Sequence, residues 1–361
     1  MKKRNCLCLL MAGVVLAGCN NASTLDFGEF VDQYPTTTAP LPTEPVSVMP
    51  QEIETIVQES ATETLYKQTV KIKLRKGKEI IDECVSGDML AYLVEDIDGC
   101  SVYVTSLSEG GENLIYQTTD AIQEINCDDG RVIWIAYMEE INSNAISIYE
   151  DGVVHTFGEW EEVCPATSVD IDGDFIFGYW GSFHVYTYNM ETEEFFVKYS
   201  QEDMNKLEEG YEEIEYVIDY FDDGHGIILH MDYDTMSSRI KCVDVYGNIV
   251  YEKEVPDEEW TAIANKNMMV SLNSSDNKVI VDCNDGKTYT LDFEVADAVA
   301  TGDWVYMWNL EEVKVFSPKF PGMLWEMNDK VVGVLSRGDV GQVMYSTAIS
   351  NEKTITVYTM K

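Results

Sequence analysis

The stretch INCDDGRVIWIAYM, residues 125–138, is the clearest of several similar hairpins in this chain. Its Asp129-Gly130 pair favours a tight two-residue turn, because the central positions of such a turn need a positive φ. Residues 131–138, which follow the turn, are rich in Val, Ile, Trp and Tyr, and these residue types favour β-strands. The stretch therefore predicts two antiparallel strands joined by a short turn.

The same hairpin recurs along the chain at fairly regular intervals. Its turns are expected at Gly87-Asp88, Asp129-Gly130, Asp172-Gly173, Asp223-Gly224, Asn265-Lys266-Asn267, Gly302-Asp303 and Gly338-Asp339. Successive turns are 43, 43, 51, 42, 36 and 36 residues apart, and a third strand-like run follows each of them. A fourth run follows in all units but the last. Four-stranded units at this period are typical of a β-propeller, so we predict an all-β fold with seven blades. Spacing alone also leaves six or eight blades open, and a pair of β-sandwiches is the structural alternative.

A strand that precedes the first unit is expected to close the ring. The seventh unit ends at Lys361 after only three strands. Thr69–Leu74 alternates apolar Val70, Ile72 and Leu74 with lysines, as a half-buried strand does. We expect this segment to supply the missing outer strand of the last blade, which leaves the propeller without an open end.

The first residues of the chain have the order of a lipoprotein signal. A cationic start is followed by an apolar run from Cys6 to Leu16, which is too short to cross a bilayer as a helix. The run ends in Leu16-Ala17-Gly18-Cys19, and this arrangement resembles that of bacterial lipoproteins. The resemblance implies that residues 1–18 are removed and that lipid on Cys19 anchors the protein at the extracytoplasmic face of the cell membrane.

Residues 19–63 differ in composition from the rest and predict a tether. Thr and Pro cluster between Tyr34 and Pro50, and the segment has no apolar periodicity with which to form a core. Some forty extended residues reach up to ~100 Å, so the domain at 64–361 would stand well away from the membrane. The alternative is that this segment packs against the domain.

The blades also resemble known repeats. Strand ends such as residues 185–193 and 243–248 resemble TolB-like and PQQ-like propeller repeats. The resemblance covers residues 64–361, and it implies the fold but no activity.

The net charge excludes one class of partner, and the cysteine content leaves open whether the domain contains disulfides. A net charge of −41 repels nucleic acid, so no nucleic-acid partner is expected. Of the nine cysteines, six fall in the domain without any Cys-x-x-Cys pair. Export permits disulfides, whereas cysteines within apolar strands behave as small buried hydrophobes, so both states stay open.

The loops that join second to third strands and one blade to the next are rich in carboxylates and large aromatic residues. Aromatic rings stack on sugars or hold cations, and carboxylates accept hydrogen bonds from hydroxyl and ammonium groups. Alternatively, the acids keep the domain soluble and the tryptophans pack between blades. The candidate ligand-binding residues are Trp160, Tyr179, Trp180, Tyr233, Trp260 and Trp308.

Signatures of catalysis are mostly absent from the sequence, which leaves enzymatic activity uncertain and favours a non-enzyme. It has no nucleophile elbow, no zinc-protease motif, no phosphate loop and no dinucleotide fingerprint. The run from Asp170 to Asp174 begins like a calcium loop, but its twelfth position is Gly181 and not Glu, so we interpret it as a hairpin turn. No cofactor is predicted, although paired acids leave calcium binding open.

The sequence therefore predicts a binding or scaffolding module at the cell envelope, with a glycan or a protein as its ligand. A carbohydrate-active or other hydrolytic enzyme that uses the acidic face is the alternative, because carboxylate pairs suited to glycoside hydrolysis are abundant.

Overall fold

The computed structural model describes most of the domain and parts of the preceding segment. The described residues are 37–38, 47–59, 63–74, 77–138, 143–157, 168–180, 184–192, 194–197, 213–221, 225–232, 237–244, 248–255, 261–273, 275–321, 324–327, 331, 335–338, 340–349 and 352–361. Within these ranges the protein consists of β-strands, turns and short connections. No described segment forms a helix with the length and hydropathy needed to cross a membrane.

Within the described residues, thirty strands form seven antiparallel sheets. The strands of the N-terminal segment are β1 (Thr37–Thr38), β2 (Ser47–Glu59) and β3 (Thr64–Lys73). Blades 1 to 3 contain β4 (Glu79–Ser86), β5 (Met89–Asp96), β6 (Gly99–Ser106), β7 (Gly110–Thr118), β8 (Ile122–Asp128), β9 (Arg131–Met138), β10 (Ser143–Glu150), β11 (Val153–Phe157), β12 (Ser168–Asp172), β13 (Phe175–Trp180), β14 (His184–Asn189) and β15 (Glu194–Val197). Blades 4 and 5 contain β16 (Glu213–Phe221), β17 (His225–Asp232), β18 (Ser237–Val243), β19 (Ile249–Glu254), β20 (Thr261–Ala264), β21 (Met268–Asn273), β22 (Lys278–Cys283) and β23 (Thr288–Asp292). Blades 6 and 7 contain β24 (Asp297–Thr301), β25 (Trp304–Trp308), β26 (Val313–Phe316), β27 (Leu324–Met327), β28 (Ser336–Arg337), β29 (Gln342–Ile349) and β30 (Glu352–Met360).

The sheet topology confirms a propeller of seven blades. Blades 1, 3, 4, 5 and 6 are four-stranded meanders, each with its strands in chain order. Blade 2 has the order β1-β11-β10-β9-β8, and blade 7 has the order β2-β3-β30-β29-β28. Each blade thus contains the four-stranded antiparallel unit that the repeat spacing predicts.

The ring is closed as the sequence predicts. β3 pairs antiparallel with β30 from Leu65 opposite Met360 to Lys73 opposite Glu352. Two backbone bonds between Thr64 and Lys361, at 2.7 and 3.0 Å, complete the ladder at its end. The closing strand begins five residues before the predicted Thr69, so its contact with the last strand is longer than expected.

Parts of the segment interpreted as a tether instead pair with the propeller. β2 pairs with β3 as a fifth strand of blade 7, and Thr37–Thr38 pair with Val154 and Val153 at the edge of blade 2. β3 would otherwise present a row of unpaired backbone groups, and β2 satisfies them. Pro50 lies next to a register shift on this edge strand, where a missing N–H is tolerated. Residues 19–36, 39–46 and 60–62 lie outside the described residues.

The predicted hairpin turns are present wherever the structure describes them. Asp129 and Gly130 have φ values of 45° and 78°, as the Asp-Gly pattern requires. The Asp170–Asp174 run contains a hairpin turn, as interpreted: its first three residues end β12, and Gly173, with a φ of 54°, and Asp174 form the turn to β13. Asp223, Gly224 and Asp339 lie outside the described residues.

The hydrophobic core consists of layers between neighbouring blades. Six clusters of buried side chains are described, and each combines residues from two adjacent blades: 7 with 1, 6 with 7, 1 with 2, 5 with 6, 2 with 3, and 4 with 5. The sheets of blades 1, 2, 5, 6 and 7 each contribute to two clusters and so bury both faces, which explains long apolar runs such as the fully buried β25. The five described cysteines, which are Cys84, Cys100, Cys127, Cys242 and Cys283, are buried.

Polar bonds between successive blades reinforce these layers. In three blades, the side chain of the last residue of the first strand accepts a hydrogen bond from a backbone N–H in the hairpin turn of the next blade. The acceptors and donors are Ser86 and Asp129 at 2.9 Å, Asp128 and Gly173 at 2.8 Å, and Thr301 and Gly341 at 3.1 Å. A side chain at one hairpin thus fixes the position of the next.

Candidate functional site: the loop face

The meander topology decides which loops lie together. Because adjacent strands of a blade are antiparallel, the loops between second and third strands emerge at the end opposite the hairpin turns. The connections from one blade to the next emerge at that same end. We call this end of the propeller the loop face.

Four exposed apolar residues lie on the loop face of consecutive blades. Leu310 in blade 6, Ile349 in blade 7, Ile97 in blade 1 and Tyr137 in blade 2 are 73, 76, 98 and 37% exposed. Each lies at the end of its blade's second strand or in the loop that follows. Blades 6, 7, 1 and 2 are successive neighbours in the ring, since shared core clusters join them. We call these four residues the apolar arc.

The loop of blade 1 holds Ile97 outward by a compact turn. Asp96 Oδ1 accepts the backbone N–H of Asp98 at 2.7 Å, and Lys78 Nζ lies 3.0 Å from Asp96 Oδ2. The hydrogen bond from Lys78, together with the backbone donors, lowers the pKa of the Asp96 carboxyl. Gly99 follows with a φ of 133°, and a Cβ there would lie 2.1 Å from Thr118 O, so only glycine fits this position.

The loop of blade 6 is held by an asparagine. Asn309 Oδ1 accepts the backbone N–H groups of Glu311 and Glu312 at 2.8 and 3.0 Å. Its Nδ2 donates to Glu294 O at 2.8 Å, which ties the loop to the connection from blade 5. Leu310 is therefore presented to solvent by a loop whose backbone groups are already satisfied.

Carboxylates lie in the same loops as Ile97 and Leu310 and opposite Ile349, and lysines neutralise part of their charge. Lys314 Nζ lies 3.4 Å from both Glu312 and Glu326, and Lys71 lies 3.9 Å from Glu352. The loops of blades 1 and 6 contain three further acidic residues whose side chains are exposed, Glu95, Asp98 and Glu311. The described part of the loop face thus combines apolar side chains with an acidic rim.

The structure does not describe the side chains of five of the six predicted aromatic residues. Trp160, Tyr233 and Trp260 lie outside the described residues. Tyr179 and Trp180 belong to β13, where only their backbone is described, and Trp180 pairs with His184. The structure therefore does not test these five candidates.

Trp308 requires a correction. It is 3% exposed and packs with Trp304, Trp325 and residues of blade 7, so its ring is not available to a ligand. The reason is its position on β25, a second strand with both faces covered by neighbouring blades. The alternative that tryptophans pack between blades is correct for this residue.

Sequence reasoning missed the apolar arc because it searched the loops for aromatic rings. Ile97 between two aspartates and Leu310 between Asn309 and Glu311 were detectable as apolar residues inside polar turns. Among the described residues, no group of three or more His, Cys, Asp or Glu side chains is arranged to hold a metal ion.

Comparison with known proteins assigns no family to this chain. No protein-family model matches the chain, and no curated protein matches it significantly. Similar solved structures include virginiamycin B lyase from Staphylococcus aureus, with 10% identity and a TM-score of 0.47, over 81% of this chain and 99% of the lyase. BamB from Moraxella catarrhalis has 12% identity and a TM-score of 0.35, over 80% of this chain and 97% of BamB. The β-propeller domain of the Trilobed protease from Pyrococcus furiosus has 12% identity and a TM-score of 0.46, over 75% and 91%. At this identity the similarity assigns no activity, and the chain is identified by its own sheet topology as a seven-bladed β-propeller.

Proposed function

We propose that this propeller is a lipid-anchored, extracytoplasmic module that binds a protein partner through its loop face. The observation that supports a protein ligand is the apolar arc, whose members lie on four consecutive blades. Exposed apolar groups ringed by polar ones are typical of protein interaction sites. The acidic rim and the net charge of −41 favour a partner with basic residues around an apolar surface.

The anchor is part of the same proposal. Leu16-Ala17-Gly18-Cys19 directs lipid to Cys19, and the acidic domain does not add electrostatic attraction to anionic lipid. Because Thr37 pairs with blade 2, the first described paired residue is only 18 positions from Cys19. An extended chain of that length reaches ~55 Å at ~3.1 Å per residue. The propeller would therefore work closer to the membrane than the composition of residues 19–63 alone suggests.

The partner surface is tested by substituting the arc. Ile97→Ser, Leu310→Ser and Ile349→Ser are combined in one variant, and Ile249→Ser with Val250→Ser on the outer strand of blade 4 serve as the matched control, since these two are also exposed. Each Ile or Leu fully buried on binding contributes about 1.5–3 kcal/mol, so the arc variant should lose partner affinity by well over tenfold. In-cell cross-linking with quantitative mass spectrometry should find a protein that wild type and control capture and the arc variant does not. Equal capture by all three proteins would contradict the proposal.

A glycan array on the same three proteins addresses the other ligand class. Glycan binding that the arc variant retains would place the ligand elsewhere and favour a carbohydrate site. Turnover of a bound glycan would replace the proposal with the enzymatic alternative.

The anchor has its own test. Metabolic labelling with an alkyne fatty acid should mark the wild type, and Cys19→Ser should lose the label and leave the membrane fraction. A Cys8→Ser variant, altered within the segment predicted to be removed, should behave as wild type. Membrane association that survives Cys19→Ser would contradict lipid anchoring.

A further inference from the structure

The first strands of blades 1 and 2 lie side by side with a constant register. Asp82 Oδ2 on β4 accepts the backbone N–H of Ile125 on β8 at 2.9 Å. Four residues further along β4, Ser86 Oγ accepts the backbone N–H of Asp129 at 2.9 Å. Both bonds join residues that are 43 positions apart, and both Asp82 and Ser86 face blade 2.

Two cysteines occupy the position midway between these bonds. Cys84 lies between Asp82 and Ser86 on the same face of β4, because side chains alternate along a strand. Its register partner, 43 positions later, is Cys127, which lies between Ile125 and Asp129. The bonds on either side therefore place the two cysteines opposite each other at the boundary between the blades. Both are 8% exposed and belong to the same cluster between blades 1 and 2.

We propose that Cys84 and Cys127 form a disulfide when the chain folds in an oxidising compartment, and that this bond joins blade 1 covalently to blade 2. The flanking bonds at Ile125 and Asp129 already hold the two strands at the register the bridge needs. A disulfide needs the two sulfurs at about 2.05 Å and the two Cα atoms within about 7 Å, and cysteines that face each other at a fixed register suit this requirement. This inference is independent of the proposed binding at the loop face.

The oxidation is a thiol–disulfide exchange with a disulfide-bearing oxidant, either a small molecule or a protein. One cysteine thiolate attacks a sulfur of the oxidant, a mixed disulfide forms, and one oxidant thiolate leaves. The second cysteine thiolate then attacks the cysteine sulfur of the mixed disulfide and displaces the other oxidant thiolate. The two cysteines lose two electrons and two protons, and the oxidant is reduced to two thiols, so the step is balanced.

The environment of Cys84 and Cys127 indicates that they are oxidised before blades 1 and 2 pack together. Burial, followed by the contact with Cys127, raises the pKa of the Cys84 thiol well above its usual range, with the Asp82 and Asp170 charges adding to the effect. The Cys84 thiolate is therefore scarce in the folded protein, and burial keeps an oxidant away from both sulfurs, so exchange is fast only while the strands are still open to solvent. Once formed, the bond is shielded from reductants by the same burial.

The experiment uses oxidative refolding of the purified chain. The protein is unfolded with reductant and diluted into a buffer of reduced and oxidised glutathione, or into reduced glutathione alone. Non-reducing proteolysis with mass spectrometry should recover a peptide pair joining Cys84 to Cys127 only from the oxidising buffer. Alkylation in denaturant should find two fewer free thiols in that sample.

Matched variants distinguish this bond from other pairings. Cys84→Ala and Cys127→Ala should each lose the bridge, whereas Cys242→Ala and Cys283→Ala, at buried cysteines in other blades, should keep it. The cross-linked chain should have an unfolding equilibrium constant lower by ~10²- to 10³-fold, as expected for a loop of this length. The proposal is overturned if both thiols remain alkylatable after oxidative refolding, or if either is found bonded to another cysteine. Should a variant fail to fold, the bond map of the wild-type chain still decides the question.

Discussion

Gln342 Nε2 donates a hydrogen bond to the backbone carbonyl of Gly87 at 2.8 Å, and these two residues lie 255 positions apart in the chain. Gln342 begins the second strand of blade 7, and Gly87 forms the hairpin turn of blade 1. The bond thus joins the last blade to the first near the hairpin turns. It supplements the closure that β3 provides at the outer edge of blade 7.

Replacing Gln342 with Leu should destabilise the ring. Gln342 is 2% exposed, so the substitution removes a buried donor while roughly conserving side-chain size, and it leaves Gly87 O without this bond. The expected loss is about 1–3 kcal/mol in the free energy of unfolding, measured by urea titration. Gln117→Leu, at an exposed position on β7, is the control and should change it by less than about 0.5 kcal/mol. Equal stability of the two variants would mean that this bond does not contribute to closure.

The closing strand should contribute through buried side chains. Ile72 on β3 is fully buried between blades 7 and 1, whereas the next residue, Lys73, is exposed. Ile72→Ala should cost about 2–5 kcal/mol in the free energy of unfolding, because it leaves a cavity in the cluster. Lys73→Ala should be near neutral. If Ile72→Ala is also neutral in urea titration, β3 does not close the ring in solution.

The sequence predicted the closing strand and the hairpins because their signals are local. The alternation of Val70, Ile72 and lysines marks a strand with one buried face, and Asp-Gly marks a turn whatever surrounds it. β2 was missed because its pairing depends on a free edge in another part of the fold, and Pro50 is more typical of a linker. The bond from Asp129 to Ser86 was missed for the same reason, since it joins positions that only the ring brings together.

Asp297 should make stability depend on pH. Burial raises the pKa of its carboxyl above the usual value, partly offset by the bond from the backbone N–H of Ala298. Because this carboxyl has a higher pKa in the folded chain than in the unfolded chain, the folded chain binds the proton more tightly. The contribution of Asp297 to the free energy of unfolding therefore falls as the pH rises above about 3.8. Asp297→Asn keeps an acceptor for Ala298 and removes the charge. The variant should therefore gain stability over wild type as pH rises from about 3.5 to 7, as measured by thermal unfolding at a series of pH values.

The control for this prediction is Asp292→Asn, at an exposed position on β23 in the neighbouring blade. It removes the same charge from a strongly acidic protein without the burial. A pH-dependent gain of equal size in both variants would assign the effect to net charge and not to the desolvation of Asp297.

The candidate site was less predictable than the fold because exposure is a property of the assembled blades. Trp308 and Leu310 are two positions apart in one acidic loop region, and the larger, aromatic residue was the natural choice for a ligand contact. Packing against blade 7 buries the tryptophan, and the bonds of Asn309 turn the leucine outward. Residue type alone does not distinguish these outcomes.

Separate substitutions of Trp308 and Leu310 test which of the two side chains the partner contacts. Trp308→Ala should lower the free energy of unfolding by about 3–5 kcal/mol, because a large ring is removed from a closed cluster. Leu310→Ala, at a position that is 73% exposed, should leave stability nearly unchanged and weaken binding to the partner that cross-linking identifies. Chemical denaturation and partner titration of both variants separate the two roles. If Trp308→Ala instead stayed as stable as wild type and lost binding, the ring would face a ligand, and the apolar arc would not be the surface that the partner contacts.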